Sequence, residues 1–237
     1  MALFNKTSKP SMASTLRVLA HLLSYPDAER IAHLGEMKQA LHREAALSPA
    51  RLAEIDQLVA RLSRRKPLDL ESEYVELFDR GRGTALHLFE HVHGDSRDRG
   101  PAMVDLLKTY ESADLFLAPG ELPDHLSVVL EYASTQPPER AVEFLGELSH
   151  LLRVIFSALQ KRQSDHACLL AALLDLAGEP AQAVTLAPEP EMDESWEEPL
   201  AFGGCSTEGQ ASPGQPQNIR IVRKPVVNAP PSQGVSP

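Results

Sequence analysis

A chain of 237 residues with 43% apolar and 24% charged side chains is long enough for one well-filled core plus an extension. With 33 acidic against 23 basic residues, its net charge of −10 excludes a general nucleic-acid binder, whose domains are usually basic. Two cysteines, Cys168 and Cys205, without CxxC spacing argue against a zinc ribbon or a secreted disulfide scaffold.

The elements read as helices in chain order. Leu16, Leu19, Ala20 and Leu23 recur at helical spacing, and Pro26 closes that segment. Ile31, Leu34, Met37 and Leu41 form a second stripe. Ser48-Pro49 combines a cap with a first-turn proline, ahead of Leu52, Ile55, Leu58, Val59 and Leu62. Tyr74, Leu77 and Phe78 follow, then Val104, Leu107 and Tyr110, then Leu126, Val129, Leu130 and Ala133. Pro137-Pro138 opens a longer helix through Val142, Leu145, Leu152, Ile155 and Leu159, and a last one runs from about Ser164 to a stop at Gly178. No segment before Pro180 alternates with period two. The fold class is therefore all-α, a single bundle of roughly eight to ten helices over residues 12–180.

Composition changes near Pro180. Residues 1–180 hold 10 prolines and 8 glycines, whereas the 57 residues 181–237 hold 9 and 5. That second part carries too little apolar surface to offset its ordering entropy and reads as a largely disordered, acidic, proline-rich tail. Leu16–Leu23 is interrupted by Arg17 and His21 with no small-residue cleavage site behind it, so no secretion signal is expected. The apolar run Cys168–Leu174 is too short to span a bilayer. The expectation is a soluble, acidic protein of a reducing compartment with no stable membrane association.

The polar stretch Phe78–Gly100 concentrates the chemistry. It holds His87, His91 and His93, four arginines, and the acids Asp79, Glu90, Asp95 and Asp98. His87-Leu88-Phe89-Glu90-His91 fits H-x-x-E-H, in which two histidines on one helix face hold zinc and the glutamate acts as base. A zinc-dependent hydrolase is thus one alternative, although no third ligand has a distinguishing context. The plainer reading has the histidines capping or bridging the loop around Gly94. Gly81-Arg82-Gly83 lacks the phosphate-loop pattern and reads as a turn, with Thr84 capping the next helix. No serine sits in a G-x-S-x-G elbow, and Cys168 lies in an apolar run as inert core. Mixed charge, histidines and glycine turns suit the recognition of an amphipathic peptide in a groove, with carboxylates such as Asp79 and Asp124 meeting its basic residues.

Several stretches together resemble the NarJ-type nitrate reductase molybdenum-cofactor assembly chaperones. They are Leu77-Phe78-Asp79-Arg80-Gly81-Arg82, the run from Phe89-Glu90-His91-Val92-His93-Gly94 to Gly100, and Met103-Val104-Asp105-Leu106-Leu107. Glu121-Leu122-Pro123-Asp124-His125-Leu126, the early Leu22-Leu23-Ser24-Tyr25-Pro26-Asp27 and the tail's Trp196-Glu197-Glu198, Phe202 and Gly204-Cys205 complete the match in order.

The resemblance implies a cytoplasmic, non-catalytic, all-helical chaperone without a cofactor or metal of its own. It implies binding to the apo catalytic (α) subunit of respiratory nitrate reductase, notably its N-terminal segment. It further implies help with molybdenum-cofactor and iron–sulfur insertion, delayed membrane docking, and absence from the mature enzyme. Carried residue by residue, it places client recognition on Asp79, Arg80, Glu90, His91, His93, Asp95, Arg97, Asp124 and His125. His87 lies just outside the family motif, which weakens the zinc pattern further. Trp196 and Phe202 form a candidate second contact from the tail, an aromatic pair in polar surroundings.

Overall fold

The computed structural model describes residues 11–94 and 96–186. Ten α-helices are present among them: α1 (Ala13–Leu22), α2 (Ala28–Ala32), α3 (Leu34–Glu44), α4 (Pro49–Leu62), α5 (Pro67–Tyr74), α6 (Leu88–Val92), α7 (Arg99–Glu111), α8 (Leu126–Thr135), α9 (Pro138–Lys161) and α10 (Ala167–Ala177). The all-α expectation holds. The β geometry among these residues is one isolated antiparallel bridge, His87 with His125. All ten helices belong to one compact unit.

α10 is the centre. Apart from Asp175 it is apolar on every side, and such a helix is stable only when surrounded. Leu169, Leu170, Leu173 and Leu174 are fully buried against α9 and α4, each contributing roughly 1.5–3 kcal/mol by leaving water. Asp175 stays at the surface and accepts from Arg51 Nε of α4 at 2.8 Å. Gly178 ends the helix in the left-handed region at φ 78°, its N–H donating to the Asp175 carbonyl, while the Glu179 N–H reaches the Leu174 carbonyl. Cys168 is packed against this core, and burial pushes its thiol up to about 12, so it is inert.

α1 packs between α8 and α3, burying Leu16, Leu19, Ala20 and Leu22. Ser48 caps α4 by accepting the Arg51 N–H, with Pro49 in the first turn. The stripe Ile31–Leu41 is not one helix: it breaks at His33 (φ −92°, ψ 2°) into α2, capped by Asp27, and α3.

α5 continues into a π turn, Val75–Asp79, where the Arg80 N–H bonds five residues back to the Val75 carbonyl. The wider turn keeps Tyr74, Leu77 and Phe78 inside. Thr84 does not cap α6 as the sequence suggests. It is buried in a short 3₁₀ turn, and its hydroxyl donates to the Leu77 carbonyl, closing the chain over Gly81. No described helix is long and apolar enough to cross a membrane.

Candidate functional site

Residues 88–123 form a leaf that leaves the body at Leu88 and returns at Asp124. Among its described residues only Leu88, Tyr110 and Pro123 are buried. Its two ends are stitched together by the His87–His125 bridge: the Leu88 N–H donates to the Asp124 carbonyl at 3.0 Å and the Leu126 N–H to the Leu86 carbonyl at 2.8 Å. Near the tip of α7, the Tyr110 hydroxyl donates to the Pro123 carbonyl at 2.8 Å, and its ring packs on Tyr132 of α8.

Asp124 sits at the neck of this leaf with no solvent exposure. Its Oδ1 lies 3.3 Å from His87 Nδ1, its Oδ2 accepts the Phe89 N–H at 3.2 Å, and Arg99 Nη2 stands 3.7 Å from Oδ2. Arg99 also reaches Glu90 at 3.4 Å, so one guanidinium spans α6, α7 and the neck. Burial pushes the Asp124 carboxyl up, but the hydrogen bond and charge of His87, the Phe89 amide and Arg99 outweigh it and hold the group below its ordinary value. The same hydrogen bond raises His87 against its own desolvation.

His125 has a different task. Its Nδ1 accepts from the Ser127 N–H at 3.3 Å and lies 2.7 Å from the Ser127 hydroxyl, capping α8. An accepting Nδ1 requires a neutral ring. Burial, and then the neighbouring His87 charge, push its pKa down to about 4.

The structure thus brings together Glu90, Asp124 and His125 of the sequence-derived set. His91 turns away: its Nε2 donates to the Ala85 carbonyl at 2.8 Å. His93, at the end of α6, packs edge-on against Phe89, and Arg97 is exposed between α6 and α7. Asp79 and Arg80 stand apart at the end of the π turn, where both are exposed and Arg80 pairs with Glu76 at 3.1 Å. Asp79 lends its charge to Tyr74, whose hydroxyl is raised first by burial. Asp95, Trp196 and Phe202 lie outside the described residues.

His87 and Arg99 are the neck residues absent from the sequence-derived recognition set, which leaves His87 to the zinc pattern. The signal for them was chemical rather than positional, because a buried carboxylate requires donors. Asp124 is fully buried, so its carboxylate offers no surface for the contact expected with a client's basic residues and instead positions its neighbours in the neck.

The zinc pattern also loses its geometry. His87 is the extended residue before α6, not a member of it, and its imidazole is committed to Asp124 while that of His91 is committed to Ala85. No group of three or more His, Cys, Asp or Glu among the described residues is placed to hold a metal.

The profile of the nitrate reductase delta subunit family matches residues 44–172. The chain is 45% identical over 162 residues to NarJ of Escherichia coli (strain K12), a nitrate reductase molybdenum cofactor assembly chaperone; this covers 68% of the chain and 69% of NarJ. It is 42% identical over 163 residues to NarW of the same strain, named a probable chaperone of the same kind, covering 69% and 68%. Its fold resembles the crystal structure of a protein from Archaeoglobus fulgidus described as a redox enzyme maturation protein, with a TM-score of 0.54 at 19% identity over 74% of this chain and 99% of that one. NarJ and NarW are named as assembly chaperones rather than as catalysts. The profile match and the identity to NarJ show that the chain belongs to the nitrate reductase delta subunit family, that of the NarJ-type molybdenum cofactor assembly chaperones.

Proposed function

We propose that the chain is a dedicated chaperone for the apo catalytic (α) subunit of a respiratory nitrate reductase. It acts in the cytoplasm, binds the subunit's N-terminal segment, and holds the apoenzyme open while molybdenum cofactor and iron–sulfur cluster enter. It delays membrane docking and is absent from the finished enzyme. The observation that carries this reading is the 45% identity to NarJ across 162 residues, a span that includes the leaf and its neck. Residues 12–180 form the chaperone domain, and Trp196 and Phe202 in the tail of residues 181–237 supply a second client contact.

Physically, a client segment that orders on binding gives up about 2–5 kcal/mol, which apolar burial has to exceed. A binding surface set in advance lowers that cost, and the neck around Asp124 sets the leaf's position without help from a ligand. The test is isothermal titration of the full chain with a synthetic peptide of the host α subunit's N-terminal segment. Micromolar or tighter binding is expected. Absence of heat, together with failure to retain the apo α subunit in a pull-down, would sink the reading.

A further inference from the structure

Two open clefts flank the exposed stripe of α1, away from the polar stretch Phe78–Gly100. On one side, a cleft of about 370 Å³ lies between α1, α8 and the loop after α7, floored by Tyr110, Val128 and Tyr132 and walled by Leu115, Phe116 and Leu117. On the other side, a cleft of about 520 Å³ lies between α1, α2 and α3, with Val18, Met37 and Ala40 as its apolar floor. His21 lines both, so the two clefts adjoin across α1 as the two halves of a trough.

We propose that this trough is a docking surface for a basic, amphipathic segment of the client polypeptide, an assignment that rests on the chaperone reading above. Its rim fixes the charge of the occupant. Glu121 and Glu131 border the first cleft, and Asp27, Glu29 and Glu36 border the second, against two arginines and the histidines His21 and His33, the latter 3.2 Å from Glu36. Both arginines are engaged: Arg17 donates to Ser134 Oγ at 3.2 Å, and Arg30 pairs with Asp27. Surplus carboxylate around an apolar floor attracts cationic side chains flanking apolar ones. A second copy of this chain, at net charge −10, is the wrong sign for such a rim.

The wall supplies the apolar end. Leu115-Phe116-Leu117 sits in a loop with Phe116 79% exposed, a side chain that a protein of this size has ample core to hide. Its place is set by the leaf, because the Leu115 N–H donates to the Tyr110 carbonyl and Tyr110 is tied to Pro123 beside Asp124. The buried neck therefore orients one wall of the trough, and the motif stretches ending at Asp27 and beginning at Glu121 reach its rim.

The test is titration of the full chain with the synthetic N-terminal peptide of the α subunit, using substitutions at exposed positions that spare the fold, with thermal melts as the check. Phe116→Ser and the double change Glu29→Arg with Glu36→Arg are expected to weaken binding about tenfold or more, as central apolar contacts and complementary rim charges do. The charge-matched control, Glu143→Arg with Glu147→Arg on the outer face of α9, is expected to change it by about twofold or less, as surface charges outside an interface do. Equal losses in the two double variants would reduce the effect to net charge and overturn the trough. So would binding that survives the trough changes but is lost on Arg97→Ala or His93→Ala, which leaves the chaperone reading intact. Failure of the unaltered chain to bind the peptide would overturn N-terminal recognition and the trough together.

Discussion

His87 and Asp124, 37 residues apart in sequence, meet at 3.3 Å across a single antiparallel bridge and close the neck of a leaf that buries little else. Asp124 accepts hydrogen bonds from two donors, the His87 imidazole and the Phe89 amide, and its charge faces the Arg99 guanidinium at 3.7 Å. Removing it takes that acceptor from the imidazole and the amide, while Arg99 keeps Glu90.

Asp124→Ala is therefore expected to destabilise the fold by about 3 kcal/mol, the scale of breaking a buried charge pair and orphaning its donors. Asp124→Asn, which keeps an acceptor for the Phe89 amide, is expected to lose less. Urea melts of the two variants read the difference directly. If Ala and Asn cost the same small amount, the neck is solvated and Asp124 is not its keystone.

Stability should be greatest just above pH 6.5. His125 and His166 are both depressed to about 4, mainly by burial; the latter is 7% exposed with its ring against Phe78 and the Arg61 charge nearby. A group depressed in the fold gives stability that is whole above its unfolded value of about 6.5 and drains away as pH falls toward the folded one. His87, raised by Asp124, runs the other way: its contribution is whole below about 6.5 and is lost as pH climbs through its folded value. Asp124 contributes above its unfolded value and loses that only in stronger acid. His125→Asn keeps a capping acceptor for α8 without a titrating group. Denaturant melts across this range should show a shallower acid slope in that variant, and an unchanged slope would clear His125 of the effect.

What the sequence discloses is local. Leu52, Ile55, Leu58, Val59 and Leu62 recur on one helical face and are all buried, Ser48-Pro49 starts that helix, and Gly178 ends α10. Each of these signals lies within a few residues of its effect. The neck is not local. Nothing near Asp124 announces that its partners come from residues 87, 89 and 99, and so Asp79 and Arg80 read as its equals although the fold sets them apart. The break at His33 is equally silent, since the stripe continues across it. The trough is less legible still, being made by the juxtaposition of α1 with α8 and α3.

Gly81 is required for space rather than for backbone freedom, because its φ of −94° is open to any residue. A Cβ there would stand 2.7 Å from the Leu77 carbonyl oxygen and 2.8 Å from Arg162 Nη1, and closer still to Thr84 Oγ1. The arginine can swing away, whereas the carbonyl belongs to the π turn and Thr84 is buried against it. Gly81→Ala is expected to cost about 1–3 kcal/mol, the range for forced overpacking. Pairing it with Thr84→Ser, which keeps the hydroxyl, should restore little. Full rescue in thermal melts would instead place the clash on the threonine methyl.

Tyr110 is the leaf's second fastening. It is the one residue of α7 that is buried, with its hydroxyl on the Pro123 carbonyl and its ring between the leaf and Tyr132. Tyr110→Phe keeps the ring and removes the bond, leaving a carbonyl without its donor, at an expected cost of about 1–2 kcal/mol. That loss should be local, because segments with few buried contacts open without the rest of the molecule. Hydrogen exchange is the measurement that separates the cases. Amides of α7 should exchange severalfold faster in the variant while those of α10 keep their protection. A uniform loss across both helices would mean that the leaf and the core unfold as one.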